Sequence, residues 1–454
     1  MRKELQDLAE SYGYTPEDLE ETPSRPKWLT STGHIMEYEF CQELLYENAL
    51  CRCWGSFYDL DGPVTDEQVR KMIYKKLAKH VHSGFSKKVE SLLYTLRIEC
   101  NDPTAVSTNI NYLHLANGTY TMDCRTFIPY KNFCRNRFPV SYDPDAPKPE
   151  RWLAFLQDLL EDEDILTLQE YMGYCLFPTT RAQKMLMLIG DGGEGKSRIG
   201  IVMKSLFGKN LSYGSLNKVE TNPFARADLE HVLVMVDDDM KMEALKQTNN
   251  LKSIITAEEA MDLEKKGIQS YQGTLFVRFL GFGNGSLKAL HDRSYGFFRR
   301  QIIIKVKPRP ADRIDDPFLD IRLKKELPGI LMWCIEGWER LFCNNFQFTL
   351  SEQTRQNISE SICDGCNALE FMESQGYFRI DSSTHISSRK LYQLYKTWCE
   401  DNSLIPLASR TFLGWMKDHA QDYGLRPTNK IPIGGGKTAR GFLGMQALPE
   451  YSWT

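Results

Sequence analysis

The most informative stretch of this sequence is Met185-Leu-Met-Leu-Ile-Gly190-Asp-Gly-Gly-Glu-Gly195-Lys196-Ser197. An apolar run breaks into glycines there and closes on a lysine and a hydroxyl residue. The spacing matches the pattern G-x-x-x-x-G-K-[ST] at each fixed position. Glycines let consecutive backbone N–H groups turn towards phosphate oxygens, and the N-terminus of a following helix adds its positive dipole end. Residues 190–197 are therefore predicted to form a phosphate-binding loop (P-loop).

The elements around the P-loop support the same interpretation. Residues 183–189 have the pattern of a buried strand, and Arg198–Phe207 has the pattern of a helix. We expect ATP as the ligand, with Lys196 on its β- and γ-phosphates and Ser197 on Mg²⁺. A glycine-rich turn without nucleotide is the alternative. The expected nucleotide-binding residues are Gly190, Asp191, Gly192, Gly193, Glu194, Gly195, Lys196, Ser197 and Arg198.

A second apolar run, Leu229–Val236, is predicted to be a strand that ends at Asp237-Asp238-Asp239. ATP hydrolysis needs one carboxylate to hold the Mg²⁺ shell beside Ser197 and a neighbouring carboxylate to polarise the attacking water. We assign Asp237 to the metal and Asp238 to the water, in a register that could shift by one residue. Three acids in a solvated turn are the alternative.

Two further elements lie after the acids. The apolar run 274–282 ends near Asn284, whose side chain could bind the water or the γ-phosphate from the tip of a strand. Arg299 and Arg300 precede the predicted strand 301–306, and one of them is suited to reach the γ-phosphate of a neighbouring subunit. A turn asparagine and ordinary surface arginines are the alternatives.

Composition limits what the chain can be. Its 454 residues, 42% hydrophobic, suffice for two to four domains with ordinary cores, and the net charge of −4 does not by itself indicate a nucleic-acid-binding protein. The scattered cysteines and the absence of an apolar signal segment predict a cytoplasmic protein with reduced thiols. No apolar run approaches the length of a membrane span, so we expect no membrane association.

The flanking segments define the predicted domain boundaries. Residues 1–148 are predicted to be an N-terminal α+β region, mostly helical at first, with a hairpin that turns at Asn117-Gly118. Residues 149–182 are predicted to be helices leading into an ATPase core at 183–345. Residues 346–454 are predicted to form a C-terminal domain.

The P-loop, the acid-tipped strand, Asn284 and the arginine pair together resemble superfamily 3 helicases, which are AAA+ motors of viruses, phages and plasmids. The flanks, with Tyr142-Asp-Pro and Leu168-Gln-Glu-Tyr-Met-Gly-Tyr, look like those of phage and plasmid primase-helicases of the poxvirus type. The resemblance covers roughly residues 40–450. About 110 residues before the hairpin leave little room for a primase-polymerase domain, so we expect no primer synthesis.

The resemblance implies a multi-domain α/β fold: an AAA+ P-loop core of parallel sheet and flanking helices, an N-terminal α+β region and a C-terminal winged-helix-like domain. It implies a homo-oligomeric ring, a hexamer, that moves 3′ to 5′ on single-stranded DNA and hydrolyses ATP between subunits. The roles of Lys196, Ser197, Asp237, Asp238, Asn284 and Arg300 follow the same comparison. Origin duplex DNA and replication proteins are further expected partners.

The family's DNA-contacting hairpin corresponds to residues 262–271, where Lys265, Lys266 and Tyr271 supply two cations and an aromatic ring. The same residues could form a solvated turn. Positive charge is also concentrated near the C-terminus. The sequence predicts an ATP-dependent DNA helicase for replication of a phage or other mobile element. An AAA+ loader or remodeller acting on protein, or an ATP-binding origin-binding protein without unwinding activity, remains an alternative.

Overall fold

The computed structural model describes residues 25–451 except 108, 241–247, 258–259, 268, 284–296, 298, 311–315, 366, 375, 403, 405 and 433–437. The chain divides into two compact units. The first contains residues 1–109 and 128–137, and the second contains residues 110–127 and 138–454.

The first unit contains helices and a small antiparallel sheet. Its elements are α1 (Glu37–Asn48), β1 (Cys51–Cys53), β2 (Ser56–Asp59), β3 (Gly62–Val64), α2 (Asp66–Leu77) and α3 (Phe85–Glu99). A capping box at Thr65 and Gln68 begins α2, because each side chain accepts a hydrogen bond from the other residue's backbone N–H. Val69 and Ile73 of α2 lie one turn apart and are fully buried in the core of this unit.

The second unit begins with a sheet of β4 (Tyr112–Leu115), β5 (Gly118–Thr121) and β6 (Thr126–Ile128), followed by helices α4 (Glu150–Leu159) and α5 (Asp162–Cys175). The elements of its central part are β7 (Met185–Ile189), α6 (Ser197–Phe207), β8 (Leu211–Tyr213), α7 (Leu216–Thr221), α8 (Pro223–Ala227), β9 (Val234–Met240), α9 (Asn249–Thr256), β10 (Met261–Leu263), β11 (Tyr271–Gly273), β12 (Arg278–Gly283), β13 (Gln301–Lys305), α10 (Leu319–Lys324) and α11 (Leu327–Cys343).

Five of these strands form one parallel sheet in the order β13-β7-β12-β9-β8. β7 and β9 are therefore separated by β12, which pairs with both. Leu186 and Leu188 of β7 belong to a core that includes Ile199 and Val202 of α6. Met185 and Met187 alternate with these leucines along β7. They belong to a second core on the other face of the sheet. The sheet is thus covered on both faces, as its near-continuous apolar strands require.

The C-terminal part consists of α12 (Glu352–Gly365), α13 (Asn367–Glu373), β14 (Phe378–Ser387), α14 (Ser388–Asp401), α15 (Ser409–Asp418), β15 (Arg426–Pro432) and β16 (Thr438–Ala447). Its antiparallel sheet has the order β14-β16-β15. Stacked rings of Tyr395 and Phe412, with centroids 4.0 Å apart, join α14 to α15. Among the described helices, none combines the length and the apolar character needed to cross a bilayer.

Several predicted bounds differ from the structure. The predicted strand Leu229–Val236 is β9, which begins at Val234 and continues through the three acids to Met240. The predicted strand 274–282 begins only at Arg278, opposite Val234. The three acids end the apolar run in the sequence, but β9 continues through them. Asp237 still pairs with Gly281 of β12, and Met240 pairs with Gly283.

The predicted turn Asn117-Gly118 lies one residue too far along the chain, because Leu115 pairs with Gly118 and the loop is Ala116-Asn117. The Asn117 side chain instead holds Tyr142 by donating to its carbonyl at 2.9 Å and accepting from its N–H at 2.8 Å.

The predicted domain boundaries also differ from the compact units. Leu113 and Leu115 of the hairpin belong to the core of the second unit, so the first unit is smaller than residues 1–148. Phe346 and Phe348 pack on the same core, beyond the predicted boundary at 345. Packing, which the sequence does not display, assigns these segments.

Candidate nucleotide-binding site

The P-loop has the predicted position between β7 and α6. β7 ends at Ile189, and α6 begins at Ser197, one residue before the predicted start. Gly192, Gly193 and Gly195 have φ angles of 111°, 79° and 107°, a region that residues with a side chain rarely adopt. These glycines allow the loop to curve around a small volume at the carboxyl end of β7.

A buried carboxylate lies inside this loop. The Glu194 carboxylate accepts a hydrogen bond from Lys196 Nζ at 2.7 Å and another from the Gly192 N–H at 2.7 Å. Glu194 is 2% exposed and Lys196 8% exposed. Burial alone would raise the pKa of Glu194, but the hydrogen bonds from Lys196 and backbone N–H groups lower it, so the carboxyl is ionised. The loop donors are therefore already arranged around an anion.

Gly190 is required at the start of the loop by close packing. A Cβ there would lie 2.7 Å from Glu194 Oε1 and 2.5 Å from Val306 Cγ2, and neither distance is tolerated. The Gly190 N–H donates to Gly283 O at 3.1 Å, which ties the loop to the end of β12. Any side chain at residue 190 would displace the carboxylate.

The other predicted ligands lie at the rim of the loop. Ser197 is exposed as the first residue of α6, and Asp191 is exposed. Arg198 Nη1 lies 3.8 Å from Asp320 Oδ1 of α10, so its charge is shared with that carboxylate. The first turn of α6 thus presents a hydroxyl and a cation beside the backbone donors.

Asp237 lies towards the carboxyl ends of the parallel strands, as the P-loop does. It pairs with Gly281 of β12, which pairs with Met187 of β7, so two strand spacings, roughly 10 Å, separate the strands. Asp237 is 7% exposed, and its Oδ2 accepts from the Leu216 N–H at 2.9 Å. Burial raises the pKa of Asp237, and the charges of the adjacent acids add to this effect. One carboxylate oxygen is thus engaged at α7.

Asp238 is exposed and lies on the side of the sheet where α6 packs. Partial burial raises the pKa of Tyr213, and the charge of Asp238 raises it further. The two side chains are therefore close. Tyr213 Oη would lie 3.5 Å from a Cβ on Gly200 of α6. Asp237 and Asp238 therefore face different neighbours, Leu216 of α7 for the first and Tyr213 of β8 for the second.

Asn284 lies outside the described residues. β12 ends at the preceding residue, Gly283, which pairs with Ile189 of β7. The strand that leads to Asn284 therefore ends level with the start of the P-loop.

Arg299 and Arg300 lie at the amino end of β13, whereas the P-loop follows the carboxyl end of the neighbouring strand β7. The Arg300 carbonyl accepts from the N–H of Met185, the first residue of β7, at 2.8 Å. The length of β7, roughly 16 Å for five residues, therefore separates these backbones from the P-loop. Burial and the charges of the two arginines lower the pKa of Lys184. Both arginine backbones therefore lie far from the P-loop of the same chain.

The predicted DNA-binding residues lie on the hairpin of β10 and β11. Lys265 Nζ lies 2.5 Å from Glu230 Oε2, and Tyr271 Oη donates to the same oxygen at 2.7 Å. Lys265 Nζ also lies 5.2 Å from the centre of the Tyr271 ring. The structure therefore brings Lys265 and Tyr271 together on one carboxylate, while Lys266 is exposed in the turn.

Sequence reasoning missed Glu230 and Arg309. Glu230 gives no local signal, because it lies 35 residues before Lys265. Arg309 lies beside the P-loop, where its Nη1 donates to Gly193 O at 3.5 Å. The available signal was an arginine between two prolines after the strand of Gln301, but only the order of the sheet shows that this strand lies next to β7.

Three family models match parts of the chain. The model described as "D5 N terminal like" matches residues 20–161, and "Poxvirus D5 protein-like" matches residues 367–438. A "Family of unknown function (DUF5906)" matches residues 188–300, which contain the P-loop and the acids. These matches support the phage and poxvirus D5-like family of primase-helicases. A comparison with curated proteins found no match.

Solved structures of the NrS-1 C-terminal region are similar to this chain. One A-form apo structure has 12% identity and a TM-score of 0.50 over 89% of this chain and 98% of that chain. A second A-form apo structure has 10% identity and a TM-score of 0.49 over the same shares. At 12% identity, the similarity to the first of these structures shows the fold alone. The five-stranded parallel sheet with flanking helices is consistent with a P-loop-type core, and the D5-like matches suggest a phage or viral replication protein.

Proposed function

We propose that this protein is an ATP-dependent DNA helicase that works as a homo-oligomeric ring, a hexamer, in replication of a phage or other mobile element. The observation that carries the proposal is the order of the parallel sheet. β12 lies between the P-loop strand β7 and the acid-bearing strand β9. This order, with the P-loop and the acids at the carboxyl ends of the strands, is the arrangement expected of an AAA+ core.

The residues of the site fit Mg²⁺ and ATP. Ser197 and Asp237 would hold the ion, which when bound neutralises charge on the β- and γ-phosphates. Lys196 binds the phosphate oxygens, and the N–H groups of the P-loop replace the water around them. Asp238, which is exposed and lies near Tyr213, accepts a proton or orients the attacking water. The role proposed for Asn284, which lies outside the described residues, is a contact to the water or the γ-phosphate.

The arginine pair supports the ring. Because Arg299 and Arg300 lie at the amino end of β13, the length of a strand away from the P-loop of their own chain, one of them serves the γ-phosphate of a neighbouring subunit in the proposed ring. Each complete site then contains the P-loop of one subunit and an arginine of the next. A monomer would lack this arginine at its site.

Two surfaces support DNA as the partner. The hairpin of β10 and β11 carries Lys265, Lys266 and Tyr271, which suit the backbone and bases of a single strand. The C-terminal order α13, β14, α14, α15, β15, β16, with β16 central, supports the proposed winged-helix-like domain. Its exposed cations suit duplex phosphates, and origin DNA is the proposed ligand. These cations are Lys417, Arg426, Lys430 and Arg440.

The test is displacement of a labelled strand from a forked duplex by the full chain with Mg²⁺ and ATP. We expect unwinding from a 3′ tail, hydrolysis stimulated by single-stranded DNA, and no displacement with a non-hydrolysable analogue. A second arm mixes inactive Arg300→Ala and Lys196→Ala subunits, and shared sites predict partial recovery of hydrolysis.

Three results would count against the proposal. Hydrolysis without strand displacement would favour a protein remodeller, and duplex binding without hydrolysis would favour an origin-binding protein. Failure of a confirmed mixed assembly to recover hydrolysis would exclude the shared site at Arg300.

A further inference from the structure

The chain after β13 passes directly beside the P-loop. β13 is the edge neighbour of β7, and the Val306 N–H extends this pairing by donating to Ile189 O at 2.8 Å. The next residue is anchored to the end of α4, because the Lys307 N–H donates to Leu159 O at 2.8 Å and Lys307 Nζ donates to Gln157 O at 3.0 Å. The segment that follows therefore starts from a fixed point.

The sequence Lys307-Pro308-Arg309-Pro310 restricts this segment further. Proline fixes its own φ angle, and Pro310 also disfavours the helical conformation for the residue before it. Arg309 thus has few backbone conformations to lose when its side chain binds a ligand. The two prolines therefore limit the backbone conformations of this segment in the unfolded chain as well as in the folded one.

The Arg309 guanidinium lies over the middle of the P-loop. Its Nη1 is 3.5 Å from Gly193 O, and a Cβ on Gly193 would lie 3.4 Å from the same nitrogen. A hydrogen bond of this length is weak, and a phosphate oxygen, which is a stronger acceptor, can compete with the carbonyl for Nη1. Arg309 is exposed, and a ligand that enters the loop can reach it.

We propose that Arg309 binds the phosphate tail of the nucleotide held by the P-loop of its own subunit. This inference rests on the proposed nucleotide binding and adds a contact within the subunit. Arg299 and Arg300, in contrast, lie at the amino ends of the strands, away from the P-loop. A guanidinium presents a planar set of donors that matches two phosphate oxygens.

The charge balance of the loop gives a reason for a second cation. Lys196 is already paired with Glu194 at 2.7 Å, so the buried pair contributes no net positive charge to the loop. Backbone N–H groups supply only partial charges to a ligand that carries several negative charges. The Arg309 guanidinium brings a second cation to the exposed side of the loop.

The experiment measures binding of a fluorescent ATP analogue with Mg²⁺ to the full chain. Arg309→Met keeps the length of the side chain but removes its charge, and Arg309→Lys keeps the charge. Arg151→Met is the matched control, because Arg151 is an exposed arginine in the first turn of α4. Lys196→Ala shows the effect of losing the main phosphate contact, and melting temperatures show whether each variant folds.

We expect Arg309→Met to weaken binding roughly ten-fold or more, as for loss of a charged hydrogen bond. Arg309→Lys should bind with an affinity between those of Arg309→Met and the wild type, because it keeps the charge but not the planar pair of donors. Arg151→Met should bind like the wild type, and all variants should have unchanged melting temperatures. Wild-type affinity in Arg309→Met would overturn the inference, as would a lysine variant as weak as the methionine variant. If the wild type itself binds no analogue, the proposed function fails as well, and that result is distinct from the others.

Discussion

Two lysines of this protein are each held by a glutamate, one in the P-loop and one in the hairpin of β10 and β11. Lys196 and Glu194 are two residues apart and almost fully buried, with side chains 8% and 3% exposed. Lys265 and Glu230 are 35 residues apart, and the Lys265 side chain is 39% exposed. The first pair lies where solvent does not screen it, whereas the second is partly screened.

The difference explains what the sequence could predict. The P-loop is a local pattern, so its position, its strand and its helix follow from contiguous residues. The hairpin has a local pattern of two lysines, a glycine and a tyrosine, but the partner of Lys265 comes from the segment before β9. A lysine predicted to be available for DNA is therefore paired, and only the tertiary structure shows this.

The largest expected effect separates the two lysines directly. Lys196→Ala should abolish ATP hydrolysis, a loss of more than about a hundred-fold, because no other P-loop side chain supplies its contact to the terminal phosphates. Lys265→Ala should leave hydrolysis without DNA within about two-fold, since its pair is partly exposed. Steady-state phosphate release with and without single-stranded DNA measures both. Equal losses in the two variants would remove the distinction.

A smaller effect is expected when the glutamate of the P-loop loses its charge. Glu194→Gln keeps an oxygen for the Gly192 N–H but removes the negative charge beside the phosphate position. We expect it to bind the ATP analogue several-fold more tightly, because a like charge near the ligand is removed. The nucleotide-free variant should melt at a lower temperature, since Lys196 loses its buried partner.

Equilibrium titration and thermal melting of the same samples test the Glu194→Gln prediction. Asp145→Asn is a suitable control, because Asp145 is an exposed acid outside the P-loop. Weaker binding by Glu194→Gln with an unchanged melting temperature would show that the carboxylate assists the nucleotide instead of opposing it.

The smallest expected effect concerns Glu230. Glu230→Gln should raise the affinity for single-stranded DNA by a few-fold, because it releases Lys265 and Tyr271 and removes a negative charge near the phosphates. Fluorescence anisotropy with a labelled oligonucleotide, repeated at two salt concentrations, measures the change. A loss of affinity equal to that of Lys265→Ala would mean that the pair shapes the hairpin for DNA.

The pH dependence of stability checks the same pair. Burial would raise the pKa of Glu230, but the hydrogen bonds from Lys265 and Tyr271 lower it. A carboxyl whose folded pKa lies below its unfolded pKa of about 4.3 stabilises the fold above that pH. This contribution disappears as the pH falls through the folded pKa. Glu230→Gln should therefore lose less stability than the wild type on acidification below about pH 4.

Other parts of the site show the same limit of sequence reasoning. The acids were found because they follow an apolar run, but their separation onto two sides, Asp237 towards Leu216 and Asp238 towards Tyr213, depends on how β9 pairs with β12. Arg309 lies beside the P-loop only because β13 is the neighbour of β7. Strand order is a long-range property that a single sequence does not display.

The most direct test of the account is a structure of the full chain with Mg²⁺ and a non-hydrolysable ATP analogue. We expect the triphosphate to lie against the backbone N–H groups of residues 192–197, with Lys196 Nζ on the phosphate oxygens and Mg²⁺ between Ser197 and the acids of β9. A nucleotide bound elsewhere, with Lys196 still paired only to Glu194, would contradict it.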